Sequence, residues 1–206
     1  MKYISLIAFL LLINLFRSEA QISERNSLNE FNSGKIKKFS TSGLDKAKGL
    51  KLQFKYPASW KSIDGERPHV VRKFAQSDDY VLSLILINTQ EQSFTQQEID
   101  ELFTTETFKS MIPADGIYIR SNTNMKIEGL KAGSIEFTRT SKRMDRIIYS
   151  HNESYFFIYK QYFVSIQFMV LNKDSESNSH VDLRYKEIQP LFYKMFNSIV
   201  IDNIWE

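Results

Sequence analysis

The sequence predicts an α+β fold in which one antiparallel β-sheet is packed with two helices. Three observations lead to this prediction. Segments with strand-like patterns follow the order strand, strand, strand, helix, four strands, helix. Short stretches of turn residues separate most consecutive strands, as expected for antiparallel neighbours. Only two segments carry the apolar period of a helix, so the helices pack on the sheet as layers of a sandwich.

The first 20 residues have the pattern of a signal peptide. Lys2 precedes an almost unbroken apolar run over residues 4–13, and Ser18 and Ala20 form a small-residue cleavage site. The run is shorter than the roughly 20 residues that cross a bilayer, which disfavours the alternative of an uncleaved membrane anchor. We therefore expect cleavage after Ala20, export to the periplasm or the extracellular space, and no stable membrane insertion afterwards.

Composition excludes some classes of function. Removing the leader takes away two basic residues and one acidic residue, so the formal net charge falls from +3 to +2. This balance argues against a dedicated nucleic-acid-binding protein. The chain has no cysteine, so it forms no disulfide and a packed core must stabilise it. The remaining length suits one domain.

Residues 21–49 are polar, rich in Ser and Asn, and show no sustained apolar period. Such a segment buries too little surface to offset its ordering entropy. We expect a flexible polar arm here, followed by a folded domain over residues 50–206. Lys35, Lys37 and Lys38 are interpreted as a solvated patch, with contact to an anionic surface as the alternative.

The expected domain opens with a half-buried strand over residues 50–56, in which apolar and charged side chains alternate. Pro57 ends this strand, because proline cannot donate to a ladder. Trp60 follows it and is expected to be buried between sheet and helix. Residues 70–76 form the next strand, and the nearly continuous apolar run at residues 80–88 predicts a central one.

The clearest helix signal lies at residues 96–111, before Pro113. Thr95 and Glu98 have the spacing of a capping box, in which each side chain bonds to the backbone N–H of the other residue. The helix carries an acidic face, interpreted as a solvated surface rather than as paired catalytic carboxylates. This face contains Glu98, Asp100, Glu101 and Glu106.

The second half of the chain predicts four strands and a closing helix. The strands are expected at residues 117–129, 132–140, 146–159 and 162–171, with Lys160 and Gln161 as a tight reversal. The helix is expected within residues 181–202, and Pro190 either kinks it or lies in its first turn. Its buried stripe would contain Leu191, Phe192, Met195, Phe196 and Ile199.

No local motif for catalysis or metal binding is present. His69, His151 and His180 lack the spacing of metal ligands and are expected at the surface, in a turn, a strand and a loop respectively. No Gly-x-Ser-x-Gly elbow or phosphate-binding loop occurs. We therefore predict no catalytic residue, no metal and no cofactor. A Ser/His/Asp site assembled through space remains the alternative. Asn152 opens a glycosylation sequon, which has meaning only in a eukaryotic secretory pathway.

Three segments resemble the PsbP-like and Mog1-like (PsbP–Mog1–DcrB) family. They are GLKLQFKYPASW at residues 49–60, IEGLKAGSIEFT at 127–138 and MFNSIVI at 195–201, with Ile199 where the family usually has Phe. The resemblance covers residues 49–203 and rests on packing and turn residues. It implies a compact, usually non-catalytic α/β sandwich. The photosystem role of the photosynthetic members is not carried over.

Two hypotheses of function follow. The first is an exported, non-catalytic binding or accessory module that engages a protein partner or an envelope component. The second is a hydrolase with a spatially assembled site. For the first, the contact elements would be the loops at residues 62–69 and 172–180. An aromatic run is interpreted as core, with an exposed partner patch as the alternative. It contains Tyr155, Phe156, Phe157, Tyr159, Tyr162 and Phe163.

Overall fold

The computed structural model describes residues 26–76, 80–143, 146–173 and 176–205. Within these ranges ten strands form two sheets in which every pairing is antiparallel. The strands are β1 (Ile36–Ser40), β2 (Leu52–Pro57), β3 (Lys61–Asp64), β4 (Val70–Ala75), β5 (Val81–Thr89), β6 (Gly116–Ile127), β7 (Leu130–Arg143), β8 (Arg146–Tyr159), β9 (Tyr162–Leu171) and β10 (Val200–Ile201). The α+β prediction is confirmed. The signal peptide expected at residues 1–20 lies outside the described residues.

Four α-helices accompany the sheets among the described residues, where the sequence predicted two. They are α1 (26–32), α2 (Gln96–Leu102), α3 (Thr105–Ser110) and α4 (Asn178–Phe196). None of the described helices is long and apolar enough to cross a membrane.

The larger sheet has the order β3-β4-β5-β9-β8-β7-β6. Strands β8 and β9 begin and end where the alternation of the sequence predicts. Tyr159 pairs with Tyr162 across the reversal, and Lys160 adopts the left-handed conformation with φ of 51°. The tight turn is therefore confirmed although it contains no glycine.

The smaller sheet has the order β1-β2-β10. The strand that opens the expected domain, β2, is the central strand of this sheet. It ends at Pro57, as the sequence predicts. Pro57 pairs with Ile36 of β1 and is the last residue of β2. A proline is tolerated there because the ladder ends at that position.

The prediction of a flexible arm is wrong for residues 26–49. This segment forms α1, β1 and a short 3₁₀ helix at Asp45–Ala47. Phe39 is buried in the main core, and the Thr41 hydroxyl donates to the Leu50 carbonyl at 2.6 Å. These elements could not be detected from the sequence. They are short, contain few apolar residues, and have no common apolar period.

Trp60 is 1% exposed, and its indole N–H donates to the Ser27 hydroxyl at 3.0 Å. The burial expected for this ring is confirmed. The helix that it meets is α1, which the sequence analysis did not predict. The folded unit therefore begins before residue 50.

The single helix expected at residues 96–111 is two helices. The capping box of Thr95 and Glu98 is present at the start of α2. Phe103 leaves the helical conformation, and Thr104 caps α3 by accepting a hydrogen bond from the Thr107 N–H at 3.2 Å. The break turns Phe103 and Phe108 onto the same cluster beneath the helices.

Helix α4 covers the opposite face of the larger sheet. It begins at Asn178, three residues before the predicted start, and Pro190 lies inside it. Its predicted apolar stripe is buried. Contacts between this stripe, the inner faces of β5, β8 and β9, and the smaller sheet build the main core.

Candidate functional site: an open groove on the sheet

Helices α2 and α3 cover only one end of the sheet face opposite α4. Phe103 and Phe108 pack there on Ile135, Phe156 and Ile158. Phe108 can approach the sheet closely because residue 133 is a glycine. A Cβ at this position would lie 2.7 Å from the Phe108 ring, which is too close. Beyond α3, no helix among the described residues covers this face.

The uncovered part of this face is a groove of about 480 Å³. Its floor consists of the outward-facing side chains of β5, β9, β8 and β7. Direct pairing places Ser154 beside Gln167 and Phe156 beside Ser165. Met111 and Pro113 close the end next to α3. The other apolar lining residues include Leu82 and Leu86 on β5, Ile135 and Phe137 on β7, and Met169 and Leu171 on β9.

The polar groups of the floor differ in their hydrogen bonding. The Asn152 amide donates to the Ser150 hydroxyl at 2.9 Å. The Ser165 hydroxyl is buried and has no hydrogen-bond partner among the described residues. Nearly all buried polar groups in folded proteins are paired, so this hydroxyl is an exception on the groove floor.

Among the described residues, Arg139 is the only charged residue that lines the groove. Its guanidinium donates to both carboxylate oxygens of Asp115, at 2.8 and 2.9 Å. A charged ligand would therefore find no unpaired countercharge among the lining residues. The groove suits an uncharged ligand with an apolar body and a few hydrogen-bonding groups.

A network of ionisable side chains lies on the other face of the same strands, against α4. His151 is 4% exposed and contacts two carboxylates: Nδ1 is 2.7 Å from Asp182 and Nε2 is 2.9 Å from Glu136. Its ring stacks on Tyr185, with centroids 3.6 Å apart. Arg120 donates to the second oxygen of Glu136 at 2.6 Å.

The two glutamates of this network have opposite shifts in pKa. Burial raises the pKa of Glu153, and the neighbouring charge of Glu136 adds to the rise, although Tyr155 and Tyr185 donate hydrogen bonds that oppose it. For Glu136 burial also acts to raise the pKa, but hydrogen bonds from His151 and Arg120 outweigh it, so the pKa is lowered.

Two of the tyrosines around the network are held in the neutral form. Burial and the hydrogen bond to Asp182 raise the pKa of Tyr149 to about 12. Burial and the charge of Glu153 raise the pKa of Tyr185 further. Its hydroxyl donates to Glu153 at 3.0 Å.

This network does not have the arrangement of a Ser/His/Asp site. Such a site needs one imidazole nitrogen that accepts a proton from a nucleophile. Both nitrogens of His151 face carboxylate oxygens, and no serine of the described ranges hydrogen-bonds to the ring. Contacts from the two nitrogens to Asp182 of α4 and Glu136 of β7 join these elements to β8, which is a structural role.

The three histidines occupy different positions in the structure. His69 is in a turn, as predicted. His151 is buried in β8, so the expectation of a surface position is wrong for it. His180 is exposed but lies in the first turn of α4 instead of a loop. Within the described ranges, no three potential ligands form a metal-binding group.

Other residues singled out by the sequence occupy structural positions. The aromatic run is core, and Phe163 is its only member that is not fully buried. Asn152, the sequon residue, is 6% exposed within β8, so the folded chain does not present it for glycosylation. In the acidic face, Asp100 pairs with Lys131 at 2.6 Å. The predicted contact loops are shortened because β3 and α4 extend into them.

The groove residues were missed by the sequence analysis, although a signal was present. In β9, the alternate positions Ser165 and Gln167 are polar on a strand whose other face is wholly apolar. In β8, Ser150, Asn152 and Ser154 are also polar at alternate positions, and the other face of this strand carries His151 and Glu153. Polar side chains on the second face of a central strand indicate a face that is not covered by a helix.

Comparison with solved structures places this fold. A protein from Bacteroides thetaiotaomicron VPI-5482 is similar at 13% identity over 73% of this chain, with a TM-score of 0.41, and this chain spans only 44% of its length. The Saccharomyces cerevisiae Ran-binding protein Mog1p is similar at 8% identity over 81% of this chain and 96% of its own, with a TM-score of 0.50. A mutant of Mog1 gives 8% identity over 80% and 96% of the two chains, with a TM-score of 0.46.

No protein-family model matches the chain, and no curated protein is similar to it in sequence. At identities this low, similarity to solved structures concerns the fold and not the function. The chain has an α+β sandwich fold like that of Mog1p.

Proposed function

We propose that the chain is an exported, non-catalytic binding module that holds an uncharged, largely apolar segment of a protein partner in the sheet groove. The leader pattern supports export, because a short apolar run followed by a small-residue site is typical of a signal peptide. The Mog1-like fold provides the scaffold. The groove supplies the binding site.

The observation that carries this proposal is the Ser165 hydroxyl. It is buried at 4% exposure of the residue, lies on the groove floor, and bonds to no described residue. An unpaired buried hydroxyl costs about 1–3 kcal/mol. Destabilising groups are tolerated more readily at functional sites than elsewhere. A ligand that hydrogen-bonds to the hydroxyl would offset the free-energy cost of leaving it unpaired.

The shape of the groove favours a polypeptide segment. The polar side chains of β8 and β9 lie between Leu82 and Leu86 of β5 on one side and Ile135 and Phe137 of β7 on the other. A peptide offers amide groups along its centre and side chains to either side, which matches this arrangement. Because no described lining residue has an unpaired charge, binding should depend little on ionic strength.

Titration with the neutral fluorescent dye Nile red tests whether the groove binds apolar ligands. We expect saturable binding that Gln167→Trp abolishes, since a large ring there fills the floor. Gln92→Trp is the control, because Gln92 lies on an exposed loop away from the groove. Equal binding by both variants would contradict a site in the groove.

Photocrosslinking in the source cells tests the protein partner. A benzophenone amino acid at position 167 should give a discrete protein adduct that is absent with the same group at position 92. Adducts only with lipid or glycan would refute a protein partner while leaving the groove intact as a binding site. Identical adducts at both positions would refute the groove.

Two serines provide a matched test of the hydroxyl. Ser165 and Ser83 both have buried, unpartnered hydroxyls within the described ranges, on neighbouring strands but on opposite faces of the sheet. Replacing either with Ala should raise the free energy of unfolding by about 1–2 kcal/mol, because the desolvation penalty is removed. Only Ser165→Ala should weaken crosslinking of the partner from position 167. Equal crosslinking by the two variants would show that the Ser165 hydroxyl has no role in binding.

A further inference from the structure

A second cavity lies on the α4 side of the larger sheet, opposite the groove. Helix α4 packs on β8 and β9, so the same face of β6 and β7 extends beyond it. A pocket of about 360 Å³ lies between this part of the sheet and α4, and its volume is in the range of small-molecule sites. We call it the edge pocket. Its lining includes Arg120 and Asn122 of β6, Ser134 and Glu136 of β7, Glu153 of β8, and Tyr193 of α4.

Hydrogen-bonding side chains form most of the described wall of the edge pocket. Direct pairing of β6 with β7 places Asn122 beside Ser134, and α4 adds the amide of Gln189. The Asn122 side-chain oxygen accepts a hydrogen bond from the Asn124 N–H at 3.0 Å, which leaves its NH₂ group for a ligand. Amides and hydroxyls can both donate and accept, so this wall suits a ligand that carries several hydroxyl groups.

The ring of Tyr193 gives the edge pocket an apolar wall that is open to solvent. Tyr193 is 54% exposed, which is unusual for a large ring in this chain. Tyr155 also lines the pocket, but it is buried and stacks on Phe196 with centroids 4.6 Å apart, so it belongs to the core. An aromatic ring offers a flat apolar surface. Beside several hydrogen-bonding groups, such a surface fits a sugar ring, which has C–H groups on its face and hydroxyls around its edge.

The charged groups of the edge pocket disfavour a charged ligand of either sign. The Arg120 guanidinium is already paired with Glu136 at 2.6 Å. An anion would meet the carboxyl groups of Glu136 and Glu153, which lie directly opposite each other on β7 and β8. A cation would meet the guanidinium of Arg120. Burial raises the pKa of Glu153, which weakens the attraction of its carboxyl group for a cation. An uncharged ligand avoids these costs.

We propose that the edge pocket binds an uncharged saccharide, with one C–H face of the sugar ring on Tyr193. The sugar hydroxyls bond to the side chains of Asn122, Ser134 and Gln189. The edge pocket and the groove are lined by alternate residues of β7 and β8, so they lie on opposite faces of the sheet. The saccharide site is therefore additional to the groove and does not depend on the function proposed for it.

Saturation-transfer-difference NMR tests this proposal with glucose, N-acetylglucosamine, maltose, cellobiose and chitobiose as probes. At least one of these sugars should bind saturably, and the C–H protons of one face should receive the strongest signal. Tyr193→Ala should weaken this binding about tenfold, because the contact with the ring is lost. Trp205→Ala is the matched control, since Trp205 is also an exposed ring but does not line the pocket.

Further ligands and one further variant define the chemistry of the site. Glu153→Gln should retain sugar binding, because the amide keeps the shape and hydrogen bonding of the carboxyl group without its charge. Spermidine and citrate, as a cation and an anion, should not compete with the sugar. The methyl glycoside of the bound sugar identifies the source of the ligand. Its binding would assign the pocket to the end of a glycan chain, and its failure to bind would assign the pocket to a free sugar.

Several results would overturn the saccharide site. They are the absence of saturable binding with every one of these sugars, equal weakening by Tyr193→Ala and Trp205→Ala, and displacement of the sugar by spermidine or citrate. Tyr193→Ala should unfold at the same urea concentration as the unaltered chain, because the ring is exposed, and this excludes misfolding as the cause of lost binding. Nile red binding in the groove should be unaffected by Tyr193→Ala, so failure of either proposal is visible separately.

Discussion

Glu136 and Glu153 have different environments, so replacing each with Gln tests how the environment of a carboxylate affects stability. They lie directly opposite each other on β7 and β8. Because their pKa values shift in opposite directions, replacement by Gln should have opposite effects on stability. We expect Glu136→Gln to destabilise the fold at neutral pH and Glu153→Gln to stabilise it.

The magnitude for Glu136→Gln follows from its two partners. His151 Nε2 lies 2.9 Å from the Glu136 carboxylate, and both side chains are buried, at 5% and 9% exposure. A hydrogen bond to a charged group contributes about 1.5–3 kcal/mol to stability. The Arg120 side chain is 62% exposed, so its ion pair adds little. The expected loss is about 2 kcal/mol.

The pH dependence has opposite sign at the two sites. The pKa of Glu136 is lowered from 4.5, so its contribution to stability is present above pH 4.5 and is lost as the pH falls through the folded pKa. The pKa of Glu153 is raised from 4.5, so its contribution is present below pH 4.5 and is lost as the pH rises through the folded pKa. Glu153→Gln should therefore reduce the loss of stability as the pH rises towards neutral. Glu136→Gln should reduce the loss of stability as the pH falls into the acid range.

Urea denaturation at several pH values measures these effects. Unfolding followed by tryptophan fluorescence gives the free energy of unfolding for each variant between about pH 4 and pH 8. Glu91→Gln is the control, because Glu91 is exposed and should change stability by less than about 0.5 kcal/mol. A loss of stability of similar size in both glutamate variants would refute the reasoning, since it would mean that the two carboxylates are ionised alike.

Three further predictions concern the fold and the leader. Trp60→Ala should lower the free energy of unfolding by about 3–5 kcal/mol, because the ring is buried against α1, and an unchanged melting temperature would contradict this. Deleting residues 26–49 should abolish cooperative unfolding, because β1 pairs with β2 along its whole length, and a stable truncated domain would contradict it. N-terminal sequencing of the exported protein should begin at Gln21, whereas an intact Met1 on a membrane-bound product would refute cleavage.

Local patterns in the sequence were sufficient to predict most strands and the start of α2. Strands β8 and β9, the reversal at Lys160 and the capping box at Thr95 all depend on residues close together in the chain. Alternation and capping act over a few residues, so they can be detected without knowledge of the tertiary structure. The antiparallel α+β class followed from the order of these elements.

Order in residues 26–49 could not be predicted in this way. The apolar side chains of α1 and β1 are too few to show a period, and their burial comes from contact with distant residues. The break of the expected helix at Phe103 has the same origin. Packing of Phe103 and Phe108 on β7 and β8 decides it, and a capping residue at Thr104 permits it.

The sequence by itself determined the class of fold, the boundaries of β8 and β9, and the absence of local catalytic motifs. Only the tertiary structure decided which polar residues lie together. His151 comes close to Asp182 because α4 crosses β8, and Ser165 remains without a partner among the described residues because α2 and α3 end before they reach it. These features depend on the packing of residues that are distant in the chain, so the spacing of neighbouring residues does not predict them.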